Sequence, residues 1–382
     1  MEYTINGPIN AERLREVFCQ LVNIYSPSGK EEEILEYLSN YLMQQNFSVI
    51  HQPVDEKRYN LLVVPPDVHV QVLFLAHVDT VPALDLDSYE FAQTDDLVTG
   101  LGTADMKGGC AAILEAFLAY YEKNNTLPPA ALGLVVGEEE NGDGTEVLLR
   151  EYSYPWAIVG EPTDLVPCTE HYGYLEVELQ TYGFRRHASL ADSEHNAISK
   201  MLRILSKITT YLDSWSRDII YNIRDVQSSS AGYSVPDRCN CWLDLHISPS
   251  HSIDEIEKKL QDIAASAVSQ NKSSNPAEQR KNYYFFSEKF AGYRLPDGLL
   301  MQLLKEIYGR LGIRWRNGSF RSHSDANLLW AAGTKPLILG PGQLARAHTQ
   351  GESISFSQVL LASRIYFDLL NRSPQTVEEI RP

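Results

Sequence analysis

The sequence predicts an α/β fold: a mixed-sheet domain with helices on both faces, interrupted by an inserted α+β domain. Three observations lead there. At 382 residues the chain exceeds what one hydrophobic core usually serves. Apolar runs alternate with helical patterns up to residue 168, as strands do with helices in an α/β sheet. From Thr169 the texture changes to strict alternation and amphipathic helices, and after residue 290 the first texture returns. The expected domains are therefore 1–168 with 291–382, and 169–290 inserted between them.

Taken in order, Ala11 to Ile24 carries apolar residues at helical spacing, and after Ser26-Pro27-Ser28-Gly29 the spacing resumes from Lys30 to Asn46. The period then shortens. Val49 to Gln52, Asn60 to Val64 and Val70 to Leu75 read as strands, the last nearly all apolar, as a strand buried on both faces must be. Met106 to Lys123 is Ala- and Leu-rich without Pro and reads as a buried helix. A strand at Ala131 to Val136, a helix at Thr145 to Glu151 and a strand at Trp156 to Val159 complete the first stretch. In the inserted region Tyr174 to Thr181 and Cys239 to Ile247 alternate, while Ala197 to Leu212 and Ile253 to Ser269 are helical, which gives two strands with helices on one face. The polar segment Asn271 to Lys281 marks its exit. Leu299 to Leu311, helical, and Pro336 to Leu339, a short buried strand, bring the chain back.

Forty-three per cent apolar and 22 per cent charged residues describe a chain able to fill a large core. A formal charge of −17 and a pI near 5.0 exclude a nucleic-acid partner, because phosphate binding needs a basic face. The five cysteines are scattered, and Cys239 and Cys241 fall on one strand face, so they read as reduced core thiols. Met1 to Asn10 lacks a charged then apolar leader pattern and no run reaches membrane-spanning length, so a cytoplasmic protein without a membrane partner is expected.

Five metal-capable side chains stand at the ends of apolar runs or in the turns that follow: His77, Asp105, Glu139, Glu161 and His348. In Leu73 to Pro82 a histidine and an aspartate, Asp79, share one face where a buried strand runs out. Asp79 can fix the tautomer of a ligating His77, or merely cap a surface turn. Glycines surround Asp105 in Gly100 to Gly109, which suits either a close-approaching ligand that bridges two metals or a helix N-cap. Gly137-Glu138-Glu139-Glu140 packs three like charges at a strand end, a solvated turn unless a cation balances them. One of these carboxylates could hold metal while its neighbour takes a proton from water. Pro162 stiffens the turn presenting Glu161, and His348 comes from a loop after Gly340-Pro341-Gly342. Oxygen and nitrogen donors without cysteine suit zinc, with cobalt and manganese as alternatives.

In sequence order, His77-Val78-Asp79-Thr80-Val81-Pro82, Asp105-Met106-Lys107-Gly108-Gly109, Glu138-Glu139, Gly160-Glu161-Pro162-Thr163 and His348-Thr349 with Glu352 resemble one family over nearly the whole chain. It is the zinc-dependent amidohydrolase and exopeptidase family of acetylornithine deacetylase, succinyl-diaminopimelate desuccinylase, aminoacylase and carboxypeptidase G. The resemblance implies two divalent ions, His77 and Glu161 on one, Glu139 and His348 on the other, and Asp105 bridging. It implies a water held between them as nucleophile, Asp79 orienting His77, and Glu138 as general base. A register with Glu139 as base and Glu140 as ligand is the alternative; the alignment to Gly144 and Leu148-Leu149 without a gap favours the former. The segment Gly183 to Ser189, followed by Asn196-Ala197-Ile198, resembles the family's dimerisation lid, which implies a homodimer in which His187 reaches the partner's site.

Two positions depart from the aminoacylase-like pattern. Tyr233 stands where an Asn is usual and His246 where an Arg is usual, and His cannot reproduce a bidentate carboxylate clamp. Arg238, Arg321 or His246 itself is left to bind a substrate carboxylate. Ser322 to Asn327 and Gly340-Pro341-Gly342 lean towards the acetylornithine and acetyl-lysine deacetylase branch. The expected reaction is hydrolysis of a small N-acyl amino acid of the N-acetylornithine kind, with a dipeptidase or carboxypeptidase of the same family as the alternative. A binding protein that kept the fold and lost the chemistry is the third reading.

Overall fold

In the computed structural model, which describes residues 7–66, 70–84, 89–215, 217–229, 232–268 and 283–372, the chain divides into two units. The first comprises Met1–Glu170, Leu295–Phe320 and Ser324–Pro382, and the second His171–Arg294 with Arg321–His323. The polar segment at 271–281 lies outside the described residues. No helix among those described is long and apolar enough to cross a membrane.

In the first unit α1 (Ala11–Asn23) and α2 (Glu32–Gln44) precede the strands β1 (Ile50–Pro53), β2 (Tyr59–Val63) and β3 (Val72–His77). The short β4 (Ala92–Thr94) and β5 (Leu97–Thr99) follow, then α3 (Gly108–Asn124), β6 (Ala131–Val135), α4 (Asp143–Glu151), β7 (Trp156–Val159) and β8 (Cys168–His171). The second unit holds β9 (Gly173–Tyr182), α5 (Ala197–Asp213), β10 (Ile219–Ser228), β11 (Arg238–Ile247), α6 (Ile253–Ala267), β12 (Tyr283–Phe290) and β13 (Tyr293–Arg294). After it come α7 (Leu299–Arg310), β14 (Gly318–Phe320), α8 (Asp325–Ala331), β15 (Lys335–Ile338), β16 (Ser353–Ser355) and α9 (Phe356–Leu370).

The main sheet runs β1-β2-β6-β3-β7-β15-β8, with β14 beside β8. Its middle is parallel: β3 pairs in parallel with β6 and β7, and β7 with β15, while β2 meets β6 antiparallel. Every residue of β3, β6 and β7 is buried, which is why these strands are apolar without alternation. The pleat of β3 shows what covers them. Phe74 stands edge-on to Phe117 of α3 and to Tyr366 of α9, whereas Leu73 and Leu75 gather with Leu148 of α4 around Gly133. Helices therefore cover both faces of a mixed sheet. A separate three-stranded sheet, β16-β5-β4, joins the two short strands between β3 and α3 to one that follows β15.

The second unit is a four-stranded antiparallel sheet, β10-β11-β9-β12, so the two alternating strands read from sequence are only its middle pair. Leu175, Val177 and Leu179 of β9 and Leu243, Leu245 and Ile247 of β11 pack with Met201 and Ile204 of α5 and Leu260 of α6. Cys239 and Cys241 are buried in the same core, and all five cysteines are unbridged.

Candidate metal centre

The carboxylate and imidazole groups leave the parallel strands at one edge, the carboxyl ends, where α/β sheets place their functional groups. His77 is the last residue of β3, Glu138 and Glu139 follow β6, and Glu161 follows β7. Asp105 arrives from a π turn, Thr103–Lys107, just before α3. It is not the N-cap of α3, because α3 begins only at Gly108 and Lys107 holds the position before it. His348 occupies a turn between β15 and β16 with a left-handed φ of 56°.

His77 Nε2 lies 3.3 Å from Asp105 Oδ1, 3.7 Å from Glu161 Oε1 and 3.8 Å from Glu138 Oε2. His348 Nε2 lies 3.0 Å from Glu139 Oε2 and 3.5 Å from Asp105 Oδ2. The two oxygens of Asp105 thus face two different histidines. His77, Asp105 and Glu139 form one set of donor atoms within 4.8 Å of one another, and His77, Glu138 and Glu161 form another. Glu140 is exposed.

The electrostatics are those of a site that suits cations. Burial, with Glu161, Asp325 and Glu139 nearby, pushes the Glu138 carboxyl well above its ordinary value. Burial and the neighbouring Asp105 do the same to Glu161, whose Oε1 is buried with no hydrogen-bond partner. Burial opposes charge on His77, yet the carboxylates of Glu161, Asp105, Asp79 and Glu138 lift it well above the usual imidazole range. The hydrogen bond to Glu139 holds His348 at about 9. Like charges crowded out of water favour protonation, and a divalent cation relieves the same crowding. Two imidazoles and four carboxylates without sulfur form a donor set that fits zinc, cobalt or manganese.

Asp79 is fully buried, and its carboxylate accepts from the N–H of Glu138 at 3.2 Å, the N–H of Glu139 at 3.1 Å and the Ser28 hydroxyl at 2.7 Å. His77 Nδ1 sits 3.1 Å from the main-chain carbonyl of Asp79 and 3.5 Å from its carboxylate. The geometry ties Asp79 to the acidic turn more closely than to the imidazole. Ser28, Glu31 and Asp325, to which the sequence motifs assign no role, also stand at this edge. Glu31 is fully buried with Arg58 Nη1 at 3.5 Å, and burial raises it to about 7. Asp325, in the first turn of α8, is pushed to about 7 by burial and lies against Gly142 of the acidic turn. The loop Ser26 to Gly29 and the stretch Ser322 to Asn327 carry the only sequence signals for Ser28 and Asp325, and Glu31 has none.

A crevice of about 510 Å³ opens beside His348, walled by Val81, Pro82, Leu84, Tyr89 and Leu101. The other candidates belong to the second unit. His187 is exposed, and its Nδ1 accepts the N–H of Ser189 at 3.3 Å. Arg238 donates to Asn240 and Gln180, both at 3.2 Å. Arg321 lies over the Tyr172 ring, and His246 is packed against Tyr174, burial lowering its pKa.

Residues 73–372 match a family model described as peptidase family M20/M25/M40. A relative described as a probable carboxypeptidase of Aspergillus flavus is 33% identical over 221 residues, which is 52% of this chain and 51% of that one. The chain thus spans about half the length of that curated relative. A probable carboxypeptidase of Aspergillus terreus is 28% identical over 387 residues, covering 92% of this chain and 84% of the relative. Among solved structures, a tripeptidase of Staphylococcus aureus superposes with a TM-score of 0.80 at 21% identity, covering 97% of this chain and 100% of that one.

Proposed function

The chain belongs to peptidase family M20/M25/M40, and from that premise we propose that it is a two-metal exopeptidase of the carboxypeptidase type acting on short peptides. The observation that carries this reading is Asp105, whose Oδ1 and Oδ2 face His77 at 3.3 Å and His348 at 3.5 Å. His77 with Glu161 would hold one ion and His348 with Glu139 the other, Asp105 serving both; zinc is the first choice. Ions held there supply a lowered pKa for water and polarisation of the scissile carbonyl.

Glu138 stands beside the ligands without being needed as one, and a carboxylate with a raised pKa is suited to take a proton from the attacking water and return it to the leaving amine. Asp79 fixes the turn from which Glu138 works. His187, whose Nδ1 is held 2.7 Å from the Ser189 hydroxyl, keeps Nε2 free of that contact, and we assign it the task of donating to a developing oxyanion from a partner subunit in a homodimer. Arg238 and Arg321, with His246 as a neutral partner, are assigned to the substrate carboxylate. The crevice beside His348, lined by Val81, Pro82, Leu84 and Leu101 together with His348 and Glu352, suits a substrate side chain with an apolar stem. Five unbridged cysteines fit a reducing cytoplasm.

The relatives support peptide cleavage over the N-acyl amino acid hydrolysis that the sequence motifs favoured, and both use the same centre. Dipeptides, tripeptides, N-blocked dipeptides and N-acetylornithine, assayed with added zinc, cobalt or manganese, separate the two. Release of the C-terminal residue from peptides is expected to dominate. A preference of roughly tenfold or more in kcat/KM for N-acetylornithine, about 1.4 kcal/mol in transition-state binding, would return the substrate to the deacylase class.

A further inference from the structure

Glu352 follows His348 by four residues and is buried, yet it offers no atom to the cluster of donors. Its carboxylate is instead turned onto the loop that presents Asp105. Oε2 accepts the N–H of Gly102 at 2.8 Å, and Oε1 accepts those of Ala104 at 2.8 Å and Asp105 at 3.1 Å. Successive N–H groups aimed at one point form a concavity that favours an anion, and a carboxylate is acceptor-only on both oxygens. Gly102 reaches this shape with a φ of 74°, and a Cβ there would come within 2.7 Å of the Thr80 methyl.

The main chain of Glu352 faces the other way. Its N–H donates to Thr349 at 3.1 Å, closing the turn that carries His348, and its carbonyl accepts from Gly100 at 3.3 Å. Immediately beyond, β16 pairs with β5 in the register Ser353 to Thr99, so both loops spring from the same end of one ladder. One residue therefore joins two loops whose ligands are far apart in sequence.

We propose that Glu352 is a positioning residue that fixes the separation of Asp105 and His348, and thereby the affinity of the metal position those two share with Glu139. The proposal rests on the two-metal reading above. A Glu352→Gln side chain would keep one acceptor oxygen and set an NH2 group against backbone N–H donors, so the loop would lose part of its anchor without loss of volume.

The test is cobalt titration of the chelator-stripped full chain, read by calorimetry and visible absorption. Wild type is expected to show two binding steps. E352Q should keep one and weaken the other by roughly 10- to 100-fold, the scale of outer-sphere substitutions. His348→Ala should weaken that same step, and excess cobalt should restore turnover in E352Q. E352D, which keeps the charge but shortens the reach, should fall between E352Q and wild type, and it carries the same decision if E352Q does not fold. Two steps at wild-type affinity in the variants, or equal weakening of both, overturns the positioning role while leaving the metal centre standing. A wild-type chain that takes up no ion removes the centre itself.

Discussion

Glu138 and Glu139 are neighbours with the same side chain, and the fold gives them different surroundings. Glu139 meets His348 at 3.0 Å, while Glu138 stays 3.8 Å from His77, and burial raises both carboxyls, that of Glu138 well above its ordinary value. If Glu138 is the base, Glu138→Gln should lower turnover by roughly 10²- to 10⁴-fold with two ions still bound. Steady-state kinetics with metal analysis checks this, and an active variant would move the proton to another group. Three consecutive glutamates in a turn give no periodicity from which to choose the inward pair, so the sequence leaves their register open; in the fold Glu140 is exposed while Glu138 and Glu139 stand beside the histidines. His77 and Glu161 were easier to see because each interrupts or ends an apolar run. Glu31 was invisible for the opposite reason: in Glu31-Glu32-Glu33 it looks like a solvated helix start, yet it has no exposed surface.

Elements meet closely around Glu161, and glycines allow it. A Cβ on Gly340, after β15, would fall 2.1 Å from the Gly160 carbonyl oxygen and 2.5 Å from that of Glu161; one on Gly109, in α3, would fall 2.2 Å from Gly160. Gly340→Ala should therefore destabilise the protein by about 1–3 kcal/mol through overpacking and weaken metal binding by displacing Glu161. Thermal melting with metal titration measures both; an unchanged melt would show that the strand ends have room to separate. Strands of the parallel core were legible because burial on both faces makes them uniformly apolar. The strands β10 and β12 were not, since one is mostly exposed and the other is an aromatic run, Tyr283 to Phe286, without hydrophobic alternation. The helix α9 leaves no helical period in the sequence because it is buried nearly all round and has no polar stripe to set one.

At the scale of the molecule, chelation should lower the melting temperature, because it leaves the carboxylates of Asp105, Glu138, Glu139 and Glu161 facing one another. Restoring metal at about 1,000 times its Kd should return about 4 kcal/mol, and the recovery should scale with metal concentration. A melt indifferent to chelator would argue against the centre. The buried His171 sets an acid limit independent of metal. Burial lowers its pKa to about 3, so as pH falls from about 6.5 the unfolded chain takes up a proton that the folded chain refuses. Stability should then drop by up to about 1.4 kcal/mol per pH unit, seen as a shift in urea midpoint of the stripped protein. His171→Phe should flatten that slope; a slope unchanged in the variant would assign it elsewhere. The two-part organisation could be read because texture changes along the chain, whereas the short return of Arg321–His323 to the second unit leaves no such trace. One consequence concerns biosynthesis. The strand β15 lies inside the main sheet, between β7 and β8, although it is translated after the whole second unit. A ribosome therefore delivers His77, Asp105 and Glu161 long before the strand that completes their sheet and the histidine that follows it. The cluster of donor groups is therefore complete only after the whole second unit has been translated.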